Sequence, residues 1–157
     1  MDMKMFSASA RAVALTLMLI GLFSICQTSV SADADVRTIY FKTGMPSANG
    51  HLESALDEGS LDILGWDADL MMRSAKTKVR FEIIGATDSS ECSGSECIEL
   101  SKRRARFVRG WLVARGVPAG ALMEPKGIGT ASPSGDNSTA VGRARNRHVE
   151  FGILIPN

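Results

Sequence analysis

Hydrophobic and polar residues alternate along three segments of the chain, a pattern typical of half-buried β-strands. These segments are residues 36–41, 79–85 and 149–153. A fourth strand is predicted within residues 122–129. Pro125 confines it to an edge or a bulge, because proline has no N–H to donate to a neighbouring strand.

Between these strands, apolar residues recur at helical spacing. The first helix is predicted to begin at Ser60, whose side chain suits the N-cap position. A second, basic helix is predicted to open near Leu100 and Ser101. It ends at Gly116, a residue type that favours the left-handed conformation after a helix.

The last predicted helix is short, runs to Arg145 and is capped by Ser138 or Thr139. The elements therefore follow the order strand, helix, strand, helix, strand, short helix, strand. Alternating strands and helices place the helices over a sheet that is at least partly parallel. The fold class predicted is α/β, of the α+β sandwich type, with a βαβαβ-αβ mixed sheet and helices packed on it.

The first 32 residues have the pattern of a secretory signal peptide. Lys4 and Arg11 precede an apolar run over residues 12–25, which is shorter than the roughly 20 residues of a membrane span. Small residues predict cleavage near Ala32 or Ala34, and an uncleaved anchor is the disfavoured alternative. The mature chain is expected to have no transmembrane segment and a single domain over residues 36–155.

Net charge argues against one broad class of partner. Cleavage after Ala32 leaves 16 acidic and 16 basic residues, whereas a general polyanion binder normally carries a marked basic excess. Nucleic acid is therefore not an expected partner. Basic residues are nevertheless concentrated between positions 102 and 115, where there are six and no acidic residue.

The cysteines predict an exported and oxidised domain. Cys26 lies in the leader, and lipid attachment there is disfavoured because bulky Ile25 precedes it. Cys92 and Cys97 are predicted to form a local disulfide. A redox-active pair is the less favoured alternative, since the spacing is not C-x-x-C. A metal site is not expected either, because neither histidine is near the cysteines in sequence.

Asp88 and Arg104 are the candidate binding residues on chemical grounds. Asp88 follows a predicted strand and Arg104 belongs to the basic helix. A carboxylate and an arginine together suit a ligand that carries both an ammonium and a carboxylate, because the arginine fork binds a carboxylate bidentately. The alternative is that Asp88 forms a turn and Arg104 is a solvated surface charge.

Two motifs resemble the OmpA-like peptidoglycan-binding domain, which also occurs at the C-termini of MotB-type and Pal-type envelope proteins. The family pattern GHTDxxGxxxxNxxLSxxRA is matched by Gly85, Thr87, Asp88, Leu100, Ser101, Arg104 and Ala105. The pattern G-x-G…P…N-x-T-x-x-GRAxNRRVE is matched by Gly127, Gly129, Pro133, Thr139, Gly142, Arg143, Ala144, Asn146, Arg147, Val149 and Glu150. The resemblance covers residues 36–154.

This resemblance implies non-catalytic binding of peptidoglycan through the diaminopimelate of its stem peptide, without a cofactor. Asp88 and Arg104 would be the principal contacts and Arg147 a third. Thr43 and Gly44 would line the same pocket with backbone groups. The implied location is the periplasm of a Gram-negative bacterium, in association with the outer membrane or the cell wall.

Three departures from the family pattern are visible. Ala86 replaces a histidine, Cys97 replaces an asparagine that helps to bind the ligand, and the loop before Leu100 is one residue longer. A Cys92–Cys97 bridge would absorb that extra residue.

The departures leave an alternative function open: an envelope protein–protein interaction module with a drifted pocket, whose partner is an outer-membrane or other envelope protein. An enzyme is disfavoured, because the sequence contains no Ser-His-Asp order, metal-ligand cluster or phosphate-binding glycine loop. His148 is expected to be a surface residue.

Overall fold

The structure is a computed structural model, and it describes residues 36–155. The predicted signal peptide, its cleavage sites and Cys26 lie outside the described residues. Within the described range, a mixed sheet forms from β1 (Ile39–Tyr40), β2 (Arg80–Gly85), β3 (Lys126–Gly127) and β4 (His148–Leu154). The strand order is β1-β4-β2-β3.

The central strand β4 is antiparallel to both β1 and β2, while β2 is parallel to β3. The predicted mixed sheet is therefore confirmed, with its parallel part at the β2–β3 pair. β3 lies at an edge, as expected from the preceding proline.

The helices of the described range are α1 (Leu52–Ala55), α2 (Ser60–Ser74), α3 (Ser95–Ala114) and α4 (Ala140–Asn146). α2 and α4 occupy the predicted segments. Thr139 is the N-cap of α4, since its hydroxyl accepts a hydrogen bond from the Gly142 N–H at 3.0 Å. The short helix α1 lies in a segment for which the sequence pattern predicted no element.

The end of α3 agrees with the prediction. Gly116 has a φ of 107°, and its N–H donates to the Val113 carbonyl at 3.0 Å. The next N–H, that of Val117, donates to the Leu112 carbonyl at 3.0 Å. These paired bonds satisfy carbonyls that the last helical turn leaves free, and glycine adopts the left-handed conformation that they require.

One predicted helix start and one predicted cap are wrong. α3 begins at Ser95 rather than near Leu100, because Gly94 turns the chain with a positive φ of 51° and a buried face already starts at Cys97. Ser60 is the first residue of α2 rather than its cap. Its hydroxyl accepts a hydrogen bond from the Tyr40 N–H at 3.2 Å and so ties α2 to β1.

The core lies between the sheet and helices α2 and α3. Burial follows strand alternation in β2, where Phe81 and Ile83 are buried and Glu82 and Ile84 on the opposite face are half-buried. The fully buried apolar side chains are Ile39, Phe41, Ala55, Leu64, Ala68, Met71, Phe81, Ile83, Ala105, Val108, Leu112 and Val149.

Helix α3 lies directly on β2 at Gly85. A Cβ atom at this position would collide with the backbone carbonyl of Ser101. Glycine therefore allows the helix to approach the strand closely, just where β2 ends and the polar loop toward Asp88 begins. This contact sets the distance between α3 and the strand ends.

No helix in residues 36–155 is long and apolar enough to cross a membrane.

Candidate functional site

Arg104 is the centre of the candidate site, and its side chain is 0 % exposed. It projects from the buried face of α3 toward one end of the sheet. Its Nε donates to the Met45 carbonyl at 2.9 Å and its Nη1 donates to the Ala86 carbonyl at 2.8 Å. The guanidinium also lies over the Phe41 ring, 5.2 Å from its centroid.

Burial of an arginine in a core layer is costly unless a negative charge and hydrogen bonds compensate it. Here the compensating charge is Glu91. The Nη1 of Arg104 lies 2.7 Å from Oε1 of Glu91, and the Nη2 lies 2.8 Å from Oε2. Both side chains are 0 % exposed, and the two parallel contacts form a bidentate pair.

Two backbone N–H groups complete the surroundings of the Glu91 carboxylate. The Gly44 N–H donates to Oε2 at 2.8 Å, and the Asp88 N–H donates to Oε1 at 3.1 Å. Each carboxylate oxygen thus accepts one guanidinium and one amide hydrogen bond. The four donors form a carboxylate-binding site at the end of the sheet, which we call the anion site.

Asp88 lies beside the anion site and is also 0 % exposed. Its Oδ1 accepts hydrogen bonds from the Ser90 N–H at 2.6 Å and the Ser90 hydroxyl at 2.7 Å. Burial raises the pKa of the Asp88 carboxyl, but the bonds from Ser90 and from Arg147 outweigh burial and hold it below its ordinary value. The side chain is therefore a carboxylate at neutral pH.

Arg147 neutralises Asp88 from the other side. Its Nη1 donates to Oδ2 of Asp88 at 2.9 Å, and its Nε donates to the Phe41 carbonyl at 3.0 Å. The Arg147 side chain is 13 % exposed. It is the outer cation of the cluster, whereas Arg104 is the inner one.

The structure brings four of the five predicted ligand residues into this cluster. Asp88, Arg104, Arg147 and Gly44 contact one another or share Glu91 as a partner. Thr43 lies exposed in the same turn. From that turn, the main-chain groups of Lys42, Gly44 and Met45 reach the anion site.

Sequence reasoning missed Glu91. The position lies three residues after Asp88, in the loop that is one residue longer than the family pattern. A glutamate in a polar loop is usually a solvated charge, so its burial was not expected. The signal that could have revealed it is the pairing requirement of Arg104, because a buried guanidinium needs a carboxylate partner.

The predicted disulfide is present in the structure, between Cys92 and Cys97. Cys97 belongs to the first turn of α3 and is buried. The bridge therefore attaches the residue next to Glu91 to the helix that carries Arg104. A second tether holds the loop, since the Ser89 N–H donates to the Asn137 side chain at 3.1 Å.

His148 is buried rather than a surface residue as expected. It is 2 % exposed, and its Nδ1 lies 2.8 Å from the Arg145 carbonyl oxygen. The reason is its place at the start of the central strand β4. Arg143 lies outside the cluster and donates to the main-chain carbonyls of Asn137 and Ser138.

Within residues 36–155, the structure contains no group of three or more His, Cys, Asp or Glu side chains able to hold a metal ion. What the cluster offers chemically is paired charge: a guanidinium with two amide donors for an anion, and an ionised carboxylate for a cation.

Fold and site together define a small α/β domain with a charge-pairing site at one end of its sheet. The OmpA family matches this chain over residues 53–147. The chain therefore belongs to the OmpA family.

Two relatives illustrate the similarity. The peptidoglycan-binding protein ArfA of Mycobacterium tuberculosis is 40 % identical over 111 residues, which are 71 % of this chain and 33 % of that protein. Outer membrane protein A of Bordetella avium is 37 % identical over 78 residues, which are 48 % of this chain and 40 % of that protein. The chain thus spans less than half the length of either relative.

A solved structure supports the fold independently. The peptidoglycan-associated lipoprotein from Burkholderia pseudomallei superposes with a TM-score of 0.63 at 19 % identity, over 75 % of this chain and 90 % of that chain. At this sequence identity, the similarity supports the fold only. The expected OmpA-like architecture is thereby confirmed.

Proposed function

We propose that this protein binds peptidoglycan non-catalytically, in the cell envelope, through the free end of the diaminopimelate in its stem peptides. The observation that carries the proposal is the anion site itself: Arg104, Gly44 and Asp88 together hold a carboxylate by four hydrogen bonds. An anion site beside an ionised aspartate has the charge pattern of a zwitterion receptor.

Each end of the ligand has a partner of opposite charge. The diaminopimelate carboxylate would take the place of the Glu91 carboxylate on Arg104, while its ammonium would lie against Asp88. Arg147 is the third contact, and the turn containing Thr43 and Gly44 forms the rim. Membership in the OmpA family and the similarity to a protein named for peptidoglycan binding support this assignment.

One relative supports the proposed location. Outer membrane protein A is an envelope protein by name, and this supports placing the present protein in the cell envelope. Export through a leader cleaved near Ala32 or Ala34, and a Gram-negative periplasm, remain predictions.

Co-sedimentation with purified sacculi tests the function, and Asp88→Asn is the informative variant. Asparagine keeps an oxygen for the Ser90 bonds but removes the charge that an ammonium requires. Loss of one partner of a desolvated charge pair typically costs about 2–5 kcal/mol, so binding should weaken at least about thirtyfold.

Asp136→Asn is the matched control, because Asp136 makes the same kind of turn with the N–H and hydroxyl of Ser138 at 2.8 Å and 2.7 Å. It should bind sacculi like the unaltered protein. Sacculi with lysine in place of diaminopimelate should bind poorly, since lysine lacks the side-chain carboxylate. Equal binding of both sacculus types, or equal loss in both variants, would contradict diaminopimelate recognition.

A second function is favoured by the internal pairing of the charges. Glu91 neutralises Arg104, and Arg147 neutralises Asp88. If the pocket has lost ligand binding because its charges are paired internally, the domain would act as a protein–protein interaction module of the envelope. A groove of about 610 Å³ with Trp66 and Trp111 in its wall offers an aromatic surface for such a partner. Absence of sacculus binding in every variant would favour this function.

A further inference from the structure

The Glu91 carboxylate binds Arg104 in the way that the carboxylate of an external ligand would. Its two oxygens take both arms of the guanidinium fork, at 2.7 Å and 2.8 Å, and both amide donors of the anion site. With both side chains 0 % exposed, an external carboxylate can reach Arg104 only after Glu91 leaves.

Glu91 is placed where it can leave without disrupting the sheet or a helix. Its side chain is buried, but its backbone lies in a polar loop whose neighbours Ser89, Ser90 and Ser93 are exposed. The Glu91 N–H is bound to Asp88 at 3.2 Å, so the side chain can turn outward while the main chain stays in place.

We infer that Glu91 is an internal ligand of the anion site, and that an external carboxylate binds there by exchange with it. The Arg104 site is therefore a carboxylate receptor held closed by the protein's own carboxylate. This inference rests on the proposed function only for the identity of the external ligand, which would be the diaminopimelate carboxylate of peptidoglycan.

Exchange sets the apparent affinity. A ligand that requires the minor, open state binds more weakly in proportion to the population of that state. The loop tethers at Cys92 and Asn137 keep Glu91 close to Arg104 and so give it a high effective concentration. Removal of the Glu91 carboxylate should thus tighten diaminopimelate binding at least about tenfold.

Glu91→Ala tests the exchange without peptidoglycan. The variant vacates a space lined by the guanidinium and two amide donors, so propionate should bind and stabilise the fold. With propionate at ten times its Kd, the Tm should rise by about 5 °C for a domain of this size. Sodium chloride at equal ionic strength and propionamide, which is uncharged, should produce no such rise.

Glu99→Ala is the matched control, because Glu99 also pairs with an arginine of α3, Arg106, but on the exposed side at 3.7 Å. Propionate should not raise its Tm, nor that of the unaltered protein. Should Glu91→Ala not fold, Glu91→Gln is titrated with propionate instead. The ¹⁵N amide signals of Gly44 and Asp88 should then shift saturably, and unmoved signals would overturn the inference.

A second arm titrates free diaminopimelate into the same proteins. A rise in the Tm of Glu91→Ala with propionate, together with tighter diaminopimelate binding, supports both the exchange and the proposed function. A rise in Tm with propionate but no diaminopimelate binding in any variant supports the exchange and refutes the proposed ligand. No rise in Tm, with equal diaminopimelate binding before and after removal of Glu91, overturns the inference and leaves the proposed function intact.

Discussion

At the residue scale, the central feature is a fully buried ion pair between Arg104 and Glu91. Neither charge is tolerable in the core alone, because removing an ion from water costs several kcal/mol that only a well-placed partner offsets. Arg104 also binds the Met45 and Ala86 carbonyls. It therefore holds together the turn after β1, the end of β2 and the loop that contains Glu91.

Arg104→Ala should accordingly destabilise the fold as well as the site. It leaves the Glu91 carboxylate buried without its cation, and such losses amount to about 3–5 kcal/mol of unfolding free energy. Urea unfolding measures this directly. Arg106→Ala, on a side chain that is 54 % exposed, should change stability by no more than about 0.5 kcal/mol. Similar small changes in both variants would show that the inner pair does not stabilise the domain.

The lowered pKa of Asp88 predicts that the folded protein loses stability in acid. Its pKa in the folded protein is below the ordinary value, so the folded state favours the carboxylate. The contribution of the Asp88 carboxylate to the free energy of unfolding is present in full above the unfolded pKa of about 3.9. It is lost as pH falls through the lower folded pKa.

Chemical unfolding between pH 6 and pH 2.5 should show this loss below about pH 4. Asp88→Asn carries no titrating group at the position, and its stability should fall less steeply over the same range. Parallel curves for the two proteins would contradict the assignment of a depressed pKa to Asp88.

At the scale of elements, the loop between β2 and α3 determines what the anion site contains. It enters from the sheet at Asp88 and is joined to α3 by the Cys92–Cys97 bridge. Because the bridge lies next to Glu91, it restricts the distance over which the main chain of the loop can move. The inferred exchange therefore uses rotation of the Glu91 side chain rather than displacement of the whole loop.

Replacement of both cysteines by serine tests the bridge. Closing such a short loop stabilises by roughly 2 kcal/mol in the chain-entropy model, and the double variant should lose about that much unfolding free energy. Reduction of the unaltered protein should produce a similar loss, measured by denaturant titration with and without dithiothreitol. Unchanged stability after complete reduction would show that the other loop contacts suffice.

Element boundaries illustrate where sequence patterns failed. Before Leu100, the buried face of α3 includes only Cys97, and a single residue cannot show a helical period. The pattern therefore became visible only from Leu100 onward, and the predicted start was five residues late. The end of the helix was predictable because Gly116 and its hydrogen bonds depend on local backbone geometry.

At the scale of the whole molecule, the site is assembled from segments that are distant in the sequence. Gly44 and Glu91 are separated by 47 positions and Asp88 and Arg147 by 59. The sheet order brings them together, because β4 runs between β1 and β2. The ends of all three strands consequently meet at the cluster.

The amino-acid sequence by itself determined the alternating strands, helices α2 and α4, the end of α3 and the motif residues that converge. These features depend on periodicity and on backbone preferences of single residues, which act locally. Only the tertiary structure decided that Glu91 fills the anion site and that His148 is buried. The physical reason is that a buried charge selects its partner by proximity in space, and that proximity depends on the packing of the whole sheet.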